Sequence, residues 1–436
     1  MTQRTVRVGL CGLGTVGQGV LTLLSEGDAT ITARAGAELS VTHIGTRTPK
    51  PDVITGGAKD SRDVFDVARD PEVDVMIELI GGTTVAKDLV IEALQHKKHV
   101  VTANKALLAD HGAELFSLAE SQGVSLRFEA AVAGGIPVIE TVKSSLAANE
   151  VTSIAGIING TGNFILTAMA SEGRAFDDVL LEAQKLGYAE ADPTFDVDGT
   201  DAAQKLVLLA SLAFGAAISP DAPYKQGVDS VAPEDLEFAS ELGYRIKHLG
   251  IAKREGSALQ LRVHPTLIPE GKAIAQVDGV LNAVMINATG VGELLLVGPG
   301  AGSRPTASAV CGDLVSIAGT LARDESPSSP SLGVPVATLD VTSIADIDDV
   351  SSAWYLRLDA EDKPGVMAAI TKSLSEQGIG IESLIQKPDA SASASVPIII
   401  LTDTATTRSL NTAVSAIEAM PSVGGKITCL RVENFN

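Results

Sequence analysis

The sequence is poor in cysteine, aromatic residues and positive charge, and each shortage narrows the classes of protein it can belong to. Its 436 residues include only three cysteines, which argues against a disulfide framework and favours a reducing compartment. Cys11 lies inside a glycine turn, and Cys311 and Cys429 have no neighbouring histidine, so a nucleophilic thiol is not expected. The net charge of -21 would repel nucleic acid and anionic membranes, which are therefore not expected as partners.

Long apolar runs are missing too, although the chain is hydrophobic enough to fold. No segment stays apolar over the roughly 18 residues that a membrane-spanning helix needs, and the N-terminus has no apolar signal region. With 45% hydrophobic residues the chain can bury substantial cores, and its length predicts two or three domains. We therefore expect a globular, cytoplasmic protein that binds neither membrane nor nucleic acid.

The first part of the chain alternates short apolar runs with helical stretches. Strands are predicted at TVRVGL, SVTHIGT, DVMIELI, KHVVTAN and VSLRFEA, and a helix at VAKDLVIEALQH. This alternation predicts an α/β domain over residues 1–130, built on a Rossmann-type doubly wound parallel sheet. A helix over residues 305–323 is expected to return to this domain and complete it.

The pattern changes after residue 130, where helices and strands no longer alternate regularly. Helices are predicted at IETVKSSLAA, DDVLLEAQKLG and DAAQKLVLLASLAF, and strands at LQLRVHPTLI, AVMINAT and ELLLVG. Residues 131–304 are therefore predicted to form an α+β domain for catalysis and dimerisation. Residues 324–350 are rich in serine and proline and are predicted to be a linker. A third domain is expected over residues 351–436.

The stretch CGLGTVGQG follows the first strand and has the spacing GxGxxG. Glycines at this spacing permit a tight turn and let backbone N–H groups approach a pyrophosphate at a helix N-terminus. The motif alone is weak, and an ordinary glycine turn is the alternative, but its place between a strand and a helix favours dinucleotide binding. The residues expected to contact the cofactor here are Gly12, Leu13, Gly14, Thr15, Val16 and Gly17.

The end of the second predicted strand, GTRTPK, bears on the choice between NAD and NADP. It offers no Asp or Glu for the ribose hydroxyls, whereas Arg47, with Lys50, could hold a 2′-phosphate. We therefore expect NADP, with NAD possible as a second cofactor. A solvated loop cation is the alternative for Arg47.

Two further stretches place polar groups near the same sheet edge. VVTANKALLAD closes a strand and puts Lys105 at the carboxyl edge, where doubly wound folds bind ligands. FEAAVAGGIPVIE then combines the carboxylate of Glu129 with a glycine-containing turn through Val132, Gly134 and Ile136. Its carbonyls could ligate a hard monovalent or divalent cation, and a tight turn without an ion is the equally good alternative.

The stretch YAEADPTFDVDGTDAAQK sets five carboxylates ahead of one lysine. An EF-hand loop starting at Asp196 would need Gly at its sixth position and Glu at its twelfth, but the chain has Asp201 and Val207 there, so a calcium loop is not expected. DGTDAAQKLVLLA is a predicted helix, on which Asp201 and Lys205 share one face because they are four residues apart. An exposed ion pair is the alternative explanation of this spacing.

The ordered motifs GxGxxG, TANK, EAAVAGGIPVI, GIINGTGNFIL, the acidic stretch and GPGAGSRPTASAV resemble those of homoserine dehydrogenases over nearly the whole chain. The resemblance implies NAD(P)-dependent, reversible interconversion of L-homoserine and L-aspartate 4-semialdehyde, on the way to threonine, methionine and isoleucine. It departs from the usual pattern at Gly162 and Phe164, where the family more often has Thr and Tyr, and in the run GKAIAQVDG.

The resemblance also implies roles for individual residues. It matches Glu190 and Asp201 to residues that bind homoserine, and Lys205 to the proton donor or acceptor, with Lys105 as a second catalytic cation. Residues Asn159, Gly160 and Thr161 are expected in a turn that borders substrate and nicotinamide, and Gly302 next to the cofactor. The family further implies a homo-oligomer, dimer or tetramer, and sodium as the cation.

The C-terminal sequence predicts a small domain of its own. A strand, a helix from Val366 to Glu376 with Gly378 at its C-cap, a strand at IGIESLI, and then VPIIILTD, a helix near 412–420 and KITCLRVEN give the order βαββαβ. This order resembles that of a ferredoxin-like ACT domain, which implies feedback inhibition by L-threonine. An oligomerisation module without a ligand is the alternative.

Two other functions remain compatible with the sequence. One is a different NAD(P)-dependent semialdehyde or sugar oxidoreductase on the same fold, although an aspartate semialdehyde dehydrogenase would need a well-placed nucleophilic cysteine. The other is a non-catalytic, nucleotide-gated sensor of amino acids, which would bind NADP without turnover.

Overall fold

The computed structural model describes residues 4–327, 329–386 and 395–435. Its strands, in chain order, are β1 (Thr5–Cys11), β2 (Glu38–Gly45), β3 (Lys59–Ser61), β4 (Val75–Glu78), β5 (His99–Thr102), β6 (Leu126–Arg127), β7 (Val151–Ile157), β8 (Tyr224–Lys225), β9 (Tyr244–Glu255), β10 (Ala258–Pro269), β11 (Leu281–Ala288), β12 (Gly292–Pro299), β13 (Ser343–Ile344), β14 (Ser351–Glu361), β15 (Ile381–Gln386), β16 (Ser395–Thr402), β17 (Ala405–Thr406) and β18 (Val423–Val432).

The α-helices, again in chain order, are α1 (Thr15–Glu26), α2 (Asp28–Ala35), α3 (Val64–Arg69), α4 (Thr84–Gln95), α5 (Lys105–Gln122), α6 (Val138–Glu140), α7 (Gly160–Glu172), α8 (Phe176–Lys185), α9 (Thr194–Val197), α10 (Thr200–Phe214), α11 (Pro233–Glu241), α12 (Ser303–Ala322), α13 (Val366–Glu376) and α14 (Thr407–Glu418). No helix in the described ranges is long and apolar enough to cross a membrane.

Contacts divide the chain into two compact units that are each discontinuous in sequence. The first comprises Met1–Gly160, Ala203–Ala222 and Leu281–Thr342, and the second Thr161–Ala202, Pro223–Val280 and Ser343–Asn436. The division into domains that the sequence suggests remains a prediction, because these units follow spatial contacts rather than consecutive stretches of chain.

The first unit contains the predicted parallel sheet, with strand order β3-β2-β1-β4-β5-β6. Every pairing in it is parallel, as the alternation of strands and helices predicted. Its central strands are apolar on both faces because helices cover both sides, and α12 contributes Ala307, Val310 and Leu314 to the same core. The edge strand β3 was not predicted, since its sequence KDS carries no apolar pattern.

The first unit also contains three antiparallel strands in the order β12-β11-β7. The helix predicted at IETVKSSLAA does not form as one α-helix: α6 covers three residues and Thr141–Ser145 is a π-helical turn. The carboxylate of Glu129 binds the backbone N–H groups of Ile139 and Glu140 at the start of this segment, which fixes its geometry from outside.

The second unit is a mixed structure around β9, β10 and the C-terminal strands. β9 and β10 form a long antiparallel hairpin. β10 also pairs with β18 over a short parallel stretch. The C-terminal strands follow in the order β18-β14-β16-β15, which with α13 and α14 is the βαββαβ arrangement that the sequence predicted. Helix α13 has the predicted bounds, but its C-cap is Gln377, and Gly378 follows in the left-handed conformation.

The C-terminal strands share a hydrophobic core with other parts of the second unit. Tyr355, Leu401 and Leu430 pack in one cluster with Leu166 of α7 and Phe238 of α11. A second cluster lies between the same strands and helices α13 and α14. The C-terminal segment therefore supplies core residues on both faces of its sheet.

Candidate active site

The glycine turn after β1 has the geometry that a dinucleotide site requires. Gly12 has φ 101°, and a Cβ atom there would lie 2.4 Å from the carbonyl oxygen of Leu79. A Cβ at Gly17 would lie 2.2 Å from the carbonyl oxygen of Gly12, whereas Gly14 at the N-cap of α1 faces open space. Two glycines thus permit packing and one leaves room at the helix N-terminus, where a pyrophosphate is favoured.

The loop after β2 presents the two predicted cations to solvent. Arg47 and Lys50 are exposed, and neither side chain makes a hydrogen bond or ion pair within the described ranges. A third cation, Arg62, donates to the carbonyl oxygen of Thr46 at 2.8 Å. Arg62 was not predicted, because it lies well downstream in sequence and reaches this loop only through the pairing of β2 with β3.

The TANK motif holds Lys105 at the carboxyl edge of the parallel sheet. Asn104 is the N-cap of α5: its side-chain oxygen accepts from the N–H of Leu107 at 3.1 Å, and its amide donates to the carbonyl of Gly82 at 2.7 Å. The hydroxyl of Thr102 donates at 2.6 Å to Glu78, a fully buried carboxylate at the end of β4. These bonds fix Lys105 as the first residue of α5.

Glu78 is a supporting residue that the sequence did not reveal. Its other carboxylate oxygen accepts from the N–H groups of Ile80 and Gly81, at 2.8 and 3.2 Å. It therefore ties the loop after β4 to the loop after β5. A buried strand-end glutamate gives no sign of such a role until the two strands are known to be neighbours.

The GPGAGS loop before α12 packs on two of the predicted binding turns. A Cβ at Gly134 would lie 2.3 Å from the carbonyl oxygen of Gly300, and the N–H of Gly135 donates to Pro299 at 3.0 Å. At its other end, Ser303 donates through its hydroxyl to the carbonyl of Thr15 at 2.8 Å. Gly302, with φ 115°, lies between these contacts as the N-cap of α12.

Gly300 is required by its neighbour Asn282 on β11. A Cβ at Gly300 would lie 2.1 Å from the amide nitrogen of Asn282. Asn282 is 1% exposed, and neither its amide nitrogen nor its oxygen has a hydrogen-bond partner within the described ranges. Asn282 was not predicted, because a lone asparagine in an apolar strand carries no motif.

The predicted cation turn combines one buried carboxylate with backbone oxygens. Ala133 and Gly134 both have φ 55°, in the left-handed region, so the chain turns tightly here. Burial raises the pKa of Glu129 to about 7, although backbone N–H groups of Glu140 and Ile139 act in the opposite direction. The described ranges contain no group of three or more acidic, histidine or cysteine side chains suited to a metal. A cation here would depend on the carbonyls of Val132, Gly134 and Ile136.

Lys205 lies on α10, the predicted helix, and reaches the GIINGTGN segment. Its Nζ donates to the carbonyl oxygen of Ile158 at 2.7 Å, immediately before Asn159 and Gly160. Asn159 is buried. The first unit therefore brings Lys205 together with the end of β7.

The segment around Thr161 is helical rather than the predicted turn. Gly160 and Thr161 are the first two residues of α7, because Ile165, Leu166 and Met169 bury one face of that helix in the core. The hydroxyl of Thr161 donates at 2.6 Å to the carbonyl of Tyr188, two residues before Glu190. The side chain of Glu190 is exposed.

The acidic loop is organised by capping, and Asp201 is the carboxylate that becomes buried. Thr194 donates to Asp192 through its N–H and hydroxyl, and this lowers the pKa of Asp192. Asp198, which the sequence left unassigned, accepts from the N–H and hydroxyl of Thr200 at 2.8 and 2.9 Å and so begins α10. Asp201 is only 3% exposed.

His248 on β9 lies beneath this loop and was not predicted. Its Cε1 would be 3.4 Å from a Cβ at Gly199, and its Nε2 bonds to the carbonyl of Gln226 at 2.9 Å. Burial lowers the pKa of His248, while Asp198 and Asp201 act in the opposite direction. A neutral imidazole therefore packs under the acidic loop.

The three cysteines do not have the character of nucleophiles. All three are free thiols, and burial raises their pKa values: that of Cys11 strongly, those of Cys311 and Cys429 to about 12. A thiol needs a lowered pKa to attack a carbonyl at neutral pH. Covalent thiohemiacetal chemistry is therefore disfavoured, as the sequence suggested.

Comparisons with known proteins agree with these features. The model of the homoserine dehydrogenase NAD-binding domain matches residues 12–129, and the homoserine dehydrogenase model matches residues 137–315. A homoserine dehydrogenase of Pseudomonas aeruginosa is 49% identical over 433 residues, which cover 99% of this chain and 100% of the relative.

Solved structures give the same result. The crystal structure of a homoserine dehydrogenase from Thiobacillus denitrificans has a TM-score of 0.94 and 47% identity, covering 100% of this chain and 99% of that one. A hyperthermophilic archaeal homoserine dehydrogenase in complex with NADPH has a TM-score of 0.61 and 26% identity, covering 72% of this chain and 97% of that one.

Proposed function

Because this chain belongs to the homoserine dehydrogenase family, an oxidoreductase family, we propose that it interconverts L-homoserine and L-aspartate 4-semialdehyde with NADP as the preferred cofactor. The observation that supports this most directly is the contact of Lys205 with Ile158, which holds an amine at the start of the GIINGTGN segment. The nicotinamide would supply the redox chemistry by exchanging a hydride with the terminal carbon of the substrate.

We assign the remaining steps to side chains of this chain. Glu190 and Asp201 bind the substrate ammonium, since carboxylates are the complementary groups, and Asn159, Gly160 and Thr161 border the substrate. Lys205 accepts the hydroxyl proton during oxidation and returns it during reduction. Lys105 adds a second positive charge where negative charge develops on the substrate oxygen.

The test of the Lys205 assignment uses three variants. Lys205→Ala should fold and bind NADP but lose about 10²–10⁴-fold in kcat, the usual contribution of a positioned proton carrier. Lys205→Arg should be similarly impaired, because arginine keeps the charge but cannot release its proton. Lys185→Ala removes an exposed lysine at the end of α8 and serves as the control. Near-normal turnover in Lys205→Arg would show that Lys205 contributes a positive charge but does not transfer the proton.

The preference for NADP rests on the loop after β2. Gly12, Leu13, Gly14, Thr15, Val16, Gly17 and Gly302 would hold the pyrophosphate and nicotinamide halves, and Arg47 and Lys50 the 2′-phosphate. The NADPH complex of the archaeal relative is compatible with this choice. Arg47→Ala should weaken NADP selectively and leave NAD unchanged, whereas Lys97→Ala, an exposed lysine after α4, should change neither. If Arg47→Ala lowers the affinity for NADP and for NAD equally, Arg47 does not bind the 2′-phosphate.

We also propose that the turn from Glu129 to Ile136 holds a monovalent cation, sodium in the first instance. The donors would be oxygen atoms of Glu129, Val132, Gly134 and Ile136, which suit a hard cation. The cation would stiffen the turn on which the GPGAGS loop packs. Sodium should raise the thermal midpoint of the ligand-free protein more than N-methylglucamine does at equal ionic strength, and identical midpoints would exclude the site.

A homo-oligomer, dimer or tetramer, is supported by apolar side chains at the edge of the β12-β11-β7 sheet. Val297 on β12 is 48% exposed, Leu281 is 38% exposed and Val291 is 50% exposed. Apolar groups of this size at a sheet edge favour pairing with a second copy. Light scattering of the purified protein should give a mass of at least two chains, and Val297→Lys should lower it.

The C-terminal βαββαβ part is proposed to be an ACT domain that binds L-threonine and inhibits the enzyme. Its residues lie beyond the stretch matched by the family models, and the archaeal structure covers only 72% of this chain. The intact chain is the right material for the test, because C-terminal residues belong to the core of the second unit. Gly378→Glu should keep turnover and lose inhibition by L-threonine; unchanged inhibition would move the effector elsewhere.

A further inference from the structure

Arg431, on β18 in the second unit, is a buried cation without a carboxylate partner among the residues that the structure describes. It is only 3% exposed. Its guanidinium donates to the hydroxyls of Thr407 at 2.8 Å and Ser352 at 3.4 Å, and within the described ranges it makes no ion pair. These two bonds use two of the five N–H groups that a guanidinium carries.

A second buried guanidinium nearby increases the excess of positive charge. Arg262 on β10 is 2% exposed and pairs with Glu433. Glu433 is thus the one carboxylate in ionic contact with either guanidinium in the described ranges, so two cations share one anion. Burial and the charge of Arg262 together lower the pKa of Arg431 to about 10, although Tyr224 and Glu433 act in the opposite direction. A buried charge that is not neutralised within the protein favours binding of an anion.

The side chain of Arg431 also lies on the wall of a cavity. A cavity of about 390 Å³ is lined by Arg431 together with Tyr224, Asp348, Asn411 and Thr428. Asp348, also on this lining, is 3.9 Å from Arg408, outside hydrogen-bond distance, so its carboxylate is not held by a close ion pair. The cavity therefore combines a cation and an anion with hydroxyl and amide groups.

Packing on Trp354 explains part of the position of Arg431 but does not neutralise it. The guanidinium carbon lies 4.2 Å from the Trp354 ring centroid and 5.9 Å from that of Tyr224. Cation–π contacts are weaker than a buried ion pair, and they leave the part of the guanidinium edge that Thr407 and Ser352 do not occupy available to a carboxylate. That edge is where a planar carboxylate would bind.

We propose that this cavity binds a small α-amino acid, with its carboxylate on Arg431 and its ammonium directed to Asp348. The site is separate from the Gly378 region proposed above for L-threonine, and it does not depend on the proposed catalytic function. Its lining comes from β8, β14, β18, α14 and the 347–349 turn, so an occupied cavity would join these elements.

Binding is tested by calorimetry on the full-length protein, with L-alanine, L-threonine and L-methionine as probes. Propionate lacks the ammonium group and alaninamide lacks the carboxylate, so each should bind about tenfold more weakly, or worse, than L-alanine. Asn411→Phe places a large side chain at an exposed lining position of α14 and should abolish binding. Ala416→Phe makes the same kind of change on α14 outside the cavity lining and should bind like wild type.

Variants elsewhere distinguish the possible locations. Asp201→Ala and Gly378→Glu should retain binding at the Arg431 cavity, and Asn411→Phe should retain wild-type oxidation of L-homoserine. Arg431→Lys keeps the positive charge but loses the planar guanidinium that can bind a carboxylate through two N–H groups. It should lower the affinity for L-alanine by about tenfold. Wild-type affinity in Asn411→Phe, loss of binding in Asp201→Ala or Gly378→Glu, or absence of binding by all three amino acids would each overturn the proposal. Propionate binding as tightly as L-alanine would overturn the part assigned to Asp348.

Discussion

Replacing Gly134 with alanine should disturb the cofactor site through one identifiable contact. Gly134 has φ 55°, and a Cβ there would lie 2.3 Å from the carbonyl oxygen of Gly300. The left-handed backbone alone costs a residue with a side chain about 1–2 kcal/mol. The contact adds a second effect, because 2.3 Å is far inside van der Waals range and the backbone of the GPGAGS loop must move by roughly 1 Å to relieve it.

Movement of that loop should displace the contacts at both of its ends. Gly302 caps α12, and Ser303 donates to Thr15 beside the glycine turn. Misplacement of binding groups by about 1 Å can cost about 10²-fold in catalysis. We expect Gly134→Ala to weaken NADP binding and kcat/KM by at least tenfold, in addition to lowering the free energy of unfolding.

The matched control is Gly123→Ala. Gly123 has φ 68° at the C-cap of α5, and a Cβ there meets nothing within 4 Å among the described residues. It therefore suffers the same backbone strain without the contact. Fluorescence titration with NADPH and thermal unfolding of both variants separate the two effects. If both variants bind NADPH like wild type, or lose affinity equally, the contact between Gly134 and Gly300 does not control the cofactor site.

Two further predictions concern stability. Burial lowers the pKa of His99 to about 4 from 6.5, so the neutral ring stabilises the fold above pH 6.5 and this contribution is lost as the pH falls toward 4. In urea titrations, the difference in unfolding free energy between wild type and His99→Gln should change by about 3 kcal/mol over that window, and a constant difference would contradict the reasoning. Asp235 is fully buried and accepts hydrogen bonds from Tyr355, Arg357 and the N–H of Ala232. Asp235→Ala should therefore lower the free energy of unfolding by about 3–5 kcal/mol, whereas Glu234→Ala at the exposed neighbouring position should change it little. Equal losses of unfolding free energy in the two variants would show that the buried network is not the cause.

The sequence predicted elements best where pattern and packing agree. The runs that became β1, β4 and β5 are rich in buried apolar residues because helices cover both faces of a parallel sheet, and so they were recognisable without any partner. VSLRFEA was predicted as a full strand, but only Leu126–Arg127 pairs, because the chain turns at Glu129 to bind Asp313 through its backbone N–H at 2.9 Å.

The candidate site also contains residues that the sequence indicated and residues that only the structure reveals. Gly12 and Gly134 were singled out from local spacing, and Lys205 from the resemblance to homoserine dehydrogenases. Glu78, Asn282 and His248 were not, because each acts on a segment distant in sequence. Gly160 and Thr161 were expected in a turn from the resemblance, but they begin α7. Burial of the apolar face of that helix outweighs the weak helix propensity of glycine and threonine.

The most direct measurement is NADP reduction by the purified full-length protein on addition of L-homoserine. Parallel reactions replace NADP with NAD, replace L-homoserine with a panel of aldoses, or add L-threonine. We predict NADPH formation with L-homoserine, slower reaction with NAD, none with the sugars, and NADPH oxidation when L-aspartate 4-semialdehyde is added instead. NADP binding without any turnover of L-homoserine, or turnover only of another alcohol, would contradict the proposed function.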